Sequence, residues 1–375
     1  MKNAGVNIMA VRANLFLSFS MKHVLILFIL SSSITMPAIC SENPPMSSML
    51  NTSPSCTIFT VAIGDTVFYG NNEDWRTHEL GLWYIPSQNI STMGGSRSIY
   101  GGVFIGFPDK ERGELYLNPC GGMNEHGLIF DINGLPSLAL YDNPNGSEFW
   151  THNVCYFGTS LWDCKTVEEV IEWYKAHKWD MTIGGQLHYA DASGDAVVIS
   201  VNPSTNEWAF TRKTGNFLIS TNFNLNYTGN AYDYPCYRYK AVTKMLGEIG
   251  SEENLTVQAC ADILYEVHLD SASCYTLYSN IFDPVNLDLY LNYGEYYQNQ
   301  KKIHLPDVLS EWWSFQQFNI SYMTGVDGNL LVRLVEIDDD FYTAPTITAF
   351  HFLSFLAATA VIITSGFYIY KKRVQ

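Results

Sequence analysis

Nowhere in the 375 residues is there a Cys-x-x-Cys pair, a His-Glu-x-x-His stretch, a Gly-rich phosphate loop or a Gly-x-Ser-x-Gly elbow. Zinc ribbons, zinc peptidases, P-loop nucleotide sites and α/β-hydrolase serines therefore have no motif here. Neither a metal nor a cofactor is expected. Basic residues are scarce, 21 Lys and Arg against 37 Asp and Glu, for a formal net charge of -16. A surface of that sign gives nucleic-acid binding no electrostatic footing. No internal repeat or linker divides the middle of the chain, so a single domain over residues 56–340 is expected.

What is present at the two ends reads as targeting. Met21-Lys22-His23 opens a basic start, the apolar run Val24–Leu30 follows, and Ala38 and Cys40 place small residues before Ser41. This is the pattern of a secretory signal over residues 1–40, cut near Cys40–Ser41, with Met21 as its start. The run is short for a permanent anchor. Residues 41–55 form a polar stretch between signal and domain, expected to be a pro-piece removed by cleavage at Ser55–Cys56. At the other end, Ile347 to Tyr370 is long enough to cross a hydrocarbon core of ~30 Å. Lys371-Lys372-Arg373 follows at once. The positive-inside rule then puts the domain outside the cell or in a lumen and the tail 371–375 in the cytoplasm, a single-pass membrane protein. Six Asn-x-Ser/Thr sequons, at Asn51, Asn89, Asn145, Asn226, Asn254 and Asn319, lie in the exported part and permit glycosylation. Six cysteines besides Cys40 and Cys56 are an even number suited to disulfides, and Cys155–Cys164 is the best local pairing. Asp338-Asp339-Asp340 reads as a solvated stalk, with a calcium site as the alternative.

Cys56 carries the chemistry. It opens the run Cys56–Ile63, a second apolar run follows at Thr66–Tyr69, and Gly64-Asp65 between them is a two-residue hairpin signal. Such a turn places Cys56 opposite Glu73, with Asp74 one step away. A thiol is mostly protonated at neutral pH and needs a base. If the bond before Cys56 is cut, its own freed α-amine titrates at roughly 7.7–8.0 and serves as that base, with Asp74 to orient it. Half of a disulfide beside a polar turn is the competing reading.

Cys56-Thr57 opening a strand and Gly70-Asn71-Asn72-Glu73-Asp74-Trp75 closing its hairpin resemble the choloylglycine hydrolase and penicillin V acylase family of N-terminal-nucleophile hydrolases. They are also similar to the acyltransferases that process isopenicillin N. Further segments fall in family order: Gly122–Leu128 leading into Asp131–Leu135, His188–Gly194, Leu218–Phe223, Tyr237-Arg238-Tyr239 and Cys274–Ser279. The resemblance implies Cys56 as nucleophile and Asp74 as the carboxylate beside the free amine. It implies Asn133 and Asn222 as oxyanion donors and Arg238 as an arginine near the nucleophile. Bile-salt hydrolases have Arg three residues before the aspartate, where this chain has Asn71, so thiol activation is expected to rest more on Arg238 or Arg76. Side chains alternate along a strand, so a strict hairpin puts Glu73, not Asp74, on the face of Cys56. Asp74 then needs a bulge or a frayed strand end to reach the amine.

Strands are expected at Gly102–Phe107, Glu114–Asn118, Gly127–Asn133, Gln186–Asp191, Ala196–Val201, Glu207–Arg212, Phe217–Thr221, Tyr275–Phe282 and Leu287–Asn292. Helices are expected after the capping box Thr166/Glu169, over Arg238–Gly247 and over Thr256–His268. Strand pairs with helices outside them suit an α/β two-sheet sandwich, and the resemblance implies the four-layer αββα arrangement. Trp75, Trp83, Tyr84 and Phe223 are candidates to line an acyl pocket. Three functions remain in play: a surface-anchored hydrolase of linear amides acting on a small N-acyl substrate, an acyltransferase using the same intermediate, and a non-catalytic binding domain on the same fold.

Overall fold

The hairpin forms as its sequence implies. In the computed structural model, β1 (Thr57–Ile63) and β2 (Thr66–Trp75) pair antiparallel from Ile63↔Thr66 to Thr57↔Asn72. Gly64 holds φ 61° at the turn, the positive value that the first position of a type II′ hairpin requires. The Glu252 carboxylate clasps the tip, accepting from the Asp65 N–H (2.9 Å) and the Thr66 hydroxyl (3.0 Å). The structure describes residues 56–75, 81–92, 95–108, 117–149, 156–229, 234–271, 274–294, 300–311 and 316–319. The signal, the stretch 41–55, Arg76, Cys155, the acids 338–340, the apolar segment 347–370 and the tail lie outside the described residues. Among the described residues no helix is long and apolar enough to cross a membrane.

Two antiparallel sheets are built around this hairpin. In the first, β12 (Phe217–Ser220), β1, β2, β14 (Cys274–Asp283), β15 (Asp288–Tyr293) and β16 (Lys301–His304) lie side by side, with β13 (Asp270–Ser271) on β14. The second runs β11 (Trp208–Arg212), β10 (Ala196–Val201), β9 (Trp179–Ala190), β8 (Ile129–Asp142), β7 (Leu117–Asn124), β6 (Gly102–Pro108), β3 (Gly81–Ile85), β17 (Gln316–Asn319). The two-stranded pair β4 (Gln88–Thr92) and β5 (Gly95–Ile99) stands apart from both.

Alternation along the strands sorts the apolar side chains into layers. Ile58 and Tyr69 meet Leu82, Tyr84 and Val103 between the sheets. Phe59 and Val61, on the other face of β1, pack on Val242 of α3 (Tyr237–Glu248) and Leu264 of α4 (Val257–Glu266). Trp83 and Phe104, on the far face of the second sheet, pack on Leu161 of α1 (Tyr156–Asp163) and Tyr174 of α2 (Val167–Ala176). The order is helix, sheet, sheet, helix, the four layers expected. Each fully buried large side chain contributes about 1.5–3 kcal/mol. A polar pin also joins the sheets. His188 of β9 meets Thr60 Oγ1 and Ser220 Oγ, each at 2.9 Å, and its carbonyl accepts from Tyr69 Oη at 3.0 Å. Burial holds His188 down at about 3, so it stays neutral.

Local signals are met with small shifts. Thr166 caps α2 through the Glu169 N–H (3.2 Å), but the Glu169 carboxylate reaches back to the Lys165 N–H (2.6 Å) rather than to Thr166. Thr256 caps α4 in the same way (3.1 Å to the Ala259 N–H). The strand expected from Gly127 starts at Ile129. The Asn124 side chain caps the intervening turn, accepting from the N–H groups of His126 and Leu128 at 3.0 Å each. Cys164 is a free thiol buried in the core under α1 and α2, so the expected Cys155–Cys164 bridge is not made. Of the sequons, Asn89, Asn145 and Asn254 are exposed. Asn226 is not available: its amide donates to Ser200 Oγ (2.7 Å) and the Ala209 carbonyl (3.1 Å) and accepts from Thr211 Oγ1 (2.6 Å).

The first sheet tolerates no side chain at Gly70. A Cβ there sits 2.4 Å from Cζ of Phe59, whose buried ring covers the strand. Gly70→Ala is expected to lose about 1–3 kcal/mol by overpacking. Urea unfolding measures this, and an unchanged midpoint contradicts the packing described.

Candidate active site

Cys56 heads β1 and is 1% exposed. Its neighbours two and four residues on, Ile58 and Thr60, point between the sheets, and period two puts the thiol on that face too. On β2 the same face carries Tyr69, Asn71 and Glu73. The opposite face carries Asn72, whose amide donates to the Leu264 carbonyl of α4 (2.8 Å), and Asp74. Continued one step, the register sets Cys56 opposite Glu73 on one face, where the sulfur interacts with the Glu73 carboxylate and the Asp74 backbone N–H. The strict-hairpin expectation therefore holds for Glu73.

Asp74 faces the helices instead. Thr276 Oγ1 donates to one of its oxygens at 2.5 Å, and the other lies 4.0 Å from Arg238 Nη1. The irregularity expected near Asp74 exists, but on the neighbouring strand: the register of β14 against β2 shifts between Thr276 and Tyr278. Extra chain at Leu277 brings Thr276 against Asp74 while Tyr278 stands opposite Glu73.

Arg238, at the start of α3, gathers the site. Its Nη1 donates to the Cys56 carbonyl (2.6 Å) and to Thr57 Oγ1 (2.7 Å), and its Nη2 donates to Asn222 Oδ1 (3.0 Å). That last bond fixes which end of the Asn222 amide is which. Its Nδ2 gives one hydrogen to the Gly134 carbonyl (3.0 Å) and keeps a second. Asn133 lies beside Gly134 on β8, fully buried, and neither atom of its amide has a partner. Gln186, opposite Asn133 in the ladder, donates to the carbonyls of Thr221 and Phe223, both at 2.8 Å. Asn133 and Asn222 are thus held to one another's neighbourhood from two sheets.

The electrostatics are those of a buried acid cluster. Burial, and then the charges of Glu73 and Asp74, push the Cys56 thiol well above the usual cysteine value; the Asp74 N–H works against them. Burial and the charge of Asp74 push Glu73 up. Burial pushes Asp74 up to about 7, against the Thr276 hydroxyl and Arg238. Asp131 of β8 is likewise raised, by burial and then by Glu73. The thiol is not pre-ionised and needs a proton acceptor.

Four of the five sequence-expected residues, Cys56, Asp74, Asn222 and Arg238, form one bonded group, and Asn133 adjoins it through Gly134. Asn71, at the position where bile-salt hydrolases have Arg, bonds Asn280 across the strands (3.2 Å) and supplies no charge. Thr276, Asp131, Gln186 and Tyr278 were not singled out from sequence. Asp131 had a signal: two residues before Asn133 in a strand, it shares that residue's face. Of the aromatics, Trp83 packs on the helix side, away from the thiol. Phe223 stays beside Asn222, with its ring 4.8 Å from Tyr234 and 5.2 Å from Tyr239. A cavity of about 400 Å³ between Pro86–Ser87 and Leu305–Ser310 shares no residue with the thiol site. Among the described residues no three His, Cys, Asp or Glu are grouped to hold a metal ion.

Two stacked antiparallel sheets between helical layers, with a buried thiol heading the first strand, have the architecture of the N-terminal-nucleophile hydrolases. Solved structures share it. Penicillin V acylase from Agrobacterium tumefaciens matches 70% of this chain and 91% of its own, with TM-score 0.52 at 15% identity. A mutant of the conjugated bile acid hydrolase from Clostridium perfringens matches 75% of this chain and all of its own (100%), with TM-score 0.53 at 14% identity. At such identity the likeness is one of fold. No curated protein matches the sequence. The profile of one family, described as acyl-coenzyme A:6-aminopenicillanic acid acyl-transferase, matches residues 61–296. That is more than half of the chain, which therefore belongs to this family. The matched span opens after Cys56, so the case for the thiol rests on its place in the hairpin.

Carboxyls raised by burial have a measurable signature. Between the ordinary carboxylate range and about 7, the folded chain holds protons on Asp74, Glu73 and Asp131 that the unfolded chain has released. Stability then falls as pH rises through that window. For Cys56→Ala protein, which gains no free cysteine amine, urea unfolding from pH 4 to pH 8 is expected to show this fall. Glu73→Gln on the same background is expected to flatten it. An equal slope in the two proteins contradicts the assignment.

Proposed function

We propose that the chain is a cysteine N-terminal-nucleophile hydrolase of linear amides, with the Cys56 thiol as nucleophile after the bond before Cys56 is cut. One observation carries the reading. A single buried guanidinium binds the Cys56 carbonyl, orients the Asn222 amide and stands beside Asp74. The penicillin V acylase and bile acid hydrolase folds, and membership of the acyl-transferase family, support it.

On this reading the freed α-amine takes the thiol proton, and Asp74, on the main-chain side of Cys56, balances the resulting ammonium. Sulfur attacks the amide carbonyl. The second N–H of Asn222 and the unpartnered Asn133 amide hold the oxyanion, the largest electrostatic contribution usual in acyl transfer. The ammonium protonates the leaving amine, and water clears the thioester. Phe223, Tyr234 and Tyr239 beside Asn222 suit a hydrophobic acyl group. We place the enzyme on the outer or lumenal side of a membrane, a reading that rests on the end segments 21–40 and 347–373.

The family's description favours a second fate for the thioester, transfer of the acyl group to another amine. Adding amine acceptors to the hydrolysis assay separates the two by product.

Active protein is expected to begin Cys-Thr-Ile-Phe when its N-terminus is sequenced. A fully active chain still carrying Ser55 contradicts the mechanism. Asn222→Ala, assayed on protein that already begins at Cys56, is expected to lose about 10²–10³ in kcat. A loss within threefold removes Asn222 from the oxyanion site.

A further inference from the structure

We propose that Glu73 is the base that activates Cys56 when the precursor cuts itself, and that the freed α-amine replaces it only afterwards. This rests on the reading that Cys56 becomes N-terminal by cleavage of the bond before it. That first cleavage poses a chemical problem. Until the bond is broken, the nitrogen of Cys56 is an amide and accepts no proton, so the base used in turnover does not yet exist. The thiol is buried and protonated, and something else must take its proton.

The groups facing the sulfur narrow the choice. Glu73 stands opposite Cys56 across the hairpin, on the same face, where its carboxylate interacts with the sulfur; its Oε2 is buried without a partner. Asp74 turns its carboxylate to Thr276 and Arg238 and offers the sulfur only its backbone N–H. Asp131, across the gap on β8, accepts from its neighbour's N–H at Ile132 (2.7 Å). Tyr278, opposite Glu73, is a phenol whose burial favours its protonated form. Both nitrogens of His188 are occupied by Thr60 and Ser220. Arg238 accepts no proton. Of these groups, Glu73 alone faces the thiol across the hairpin and has an acceptor to give. Burial also raises the proton affinity of Glu73, which makes its carboxylate the stronger base.

The step balances. The thiol proton passes to Glu73 as sulfur bonds to the carbonyl carbon of the preceding residue. The carbon–nitrogen bond breaks, and the Cys56 nitrogen takes the proton from Glu73 and leaves as the α-amine. Water hydrolyses the thioester, which restores the thiol and frees the upstream carboxylate. Nothing is oxidised or reduced.

The test follows the full chain made by cell-free translation, with conversion of precursor to the chain starting at Cys56 read by mass. Glu73→Gln is expected to slow conversion at least about 10²-fold, the usual contribution of a general base. Glu73→Ala is expected to be as slow and to be accelerated by added formate, a small carboxylate that fits the vacated space. Circular dichroism and protease resistance confirm folding of each variant. Conversion of Glu73→Gln at the wild-type rate overturns the proposal. So does a folded, slow Glu73→Ala that ignores formate, since a structural role leaves nothing to rescue. If the wild-type chain never yields a Cys56 N-terminus, the cleavage reading fails first, whatever Glu73 does.

Discussion

Arg238 divides one planar guanidinium among the Cys56 carbonyl, the Thr57 hydroxyl and the Asn222 amide oxygen, with Asp74 4.0 Å away. Its side chain is almost fully buried, so each of those bonds is made in a low-dielectric setting where geometry is rigid and loss is costly. A lysine would keep the charge but not the fork, and could not hold a strand end and an asparagine in one plane. Arg238 itself is placed by α3, which packs through Val242 and Leu246 on Phe59 and Val61 of β1. The outer layer of the sandwich thus aims the group that organises the mouth of the first hairpin.

Around that fork the site holds more acid than base. Glu73, Asp74 and Asp131 are all buried, and Arg238 is the cation that the structure sets against Asp74. Taking each carboxylate out of water costs several kcal/mol, so burial raises the proton affinity of all three, and Glu73 takes the thiol proton from its ionised fraction in the uncleaved chain. On the proposed mechanism, an α-amine freed at Cys56 changes the balance: as the ammonium it lets an acid ionise, and as the amine it gives the sulfur a base on its own residue. Alternation sends the two adjacent acids of β2 to opposite faces, Glu73 toward the sulfur and Asp74 toward Thr276 and Arg238, which suits the separate tasks proposed for them.

What was legible in the sequence follows the range of the interactions. The hairpin is local, and Gly64-Asp65 with its flanking apolar runs was enough to set the register and hence the face of Glu73. Caps at Thr166 and Thr256 are local as well. Segments without such signals escaped: α1 is short, and β3 is buried along its whole length, so it shows no alternation. Spacing misled at Cys164, where packing under α1 and α2 decides the environment of the thiol. The reach of Arg238 to Cys56 across 182 residues, and of Thr276 to Asp74 across 202, belongs to tertiary structure. Only the family resemblance pointed to Arg238, and within Cys274–Ser279 nothing marked Thr276 as the partner of Asp74, because the β14 register shift that brings them together leaves no pattern.

The central claim is that the sulfur of Cys56 carries the acyl group. Mature protein turning over an N-acyl amide is quenched in acid during the first turnovers, digested, and analysed by peptide mass. The account predicts the mass of one acyl group on the peptide that begins at Cys56, released by hydroxylamine as a thioester is. Steady turnover with that peptide unmodified, or with the acyl group on any other residue, would contradict it.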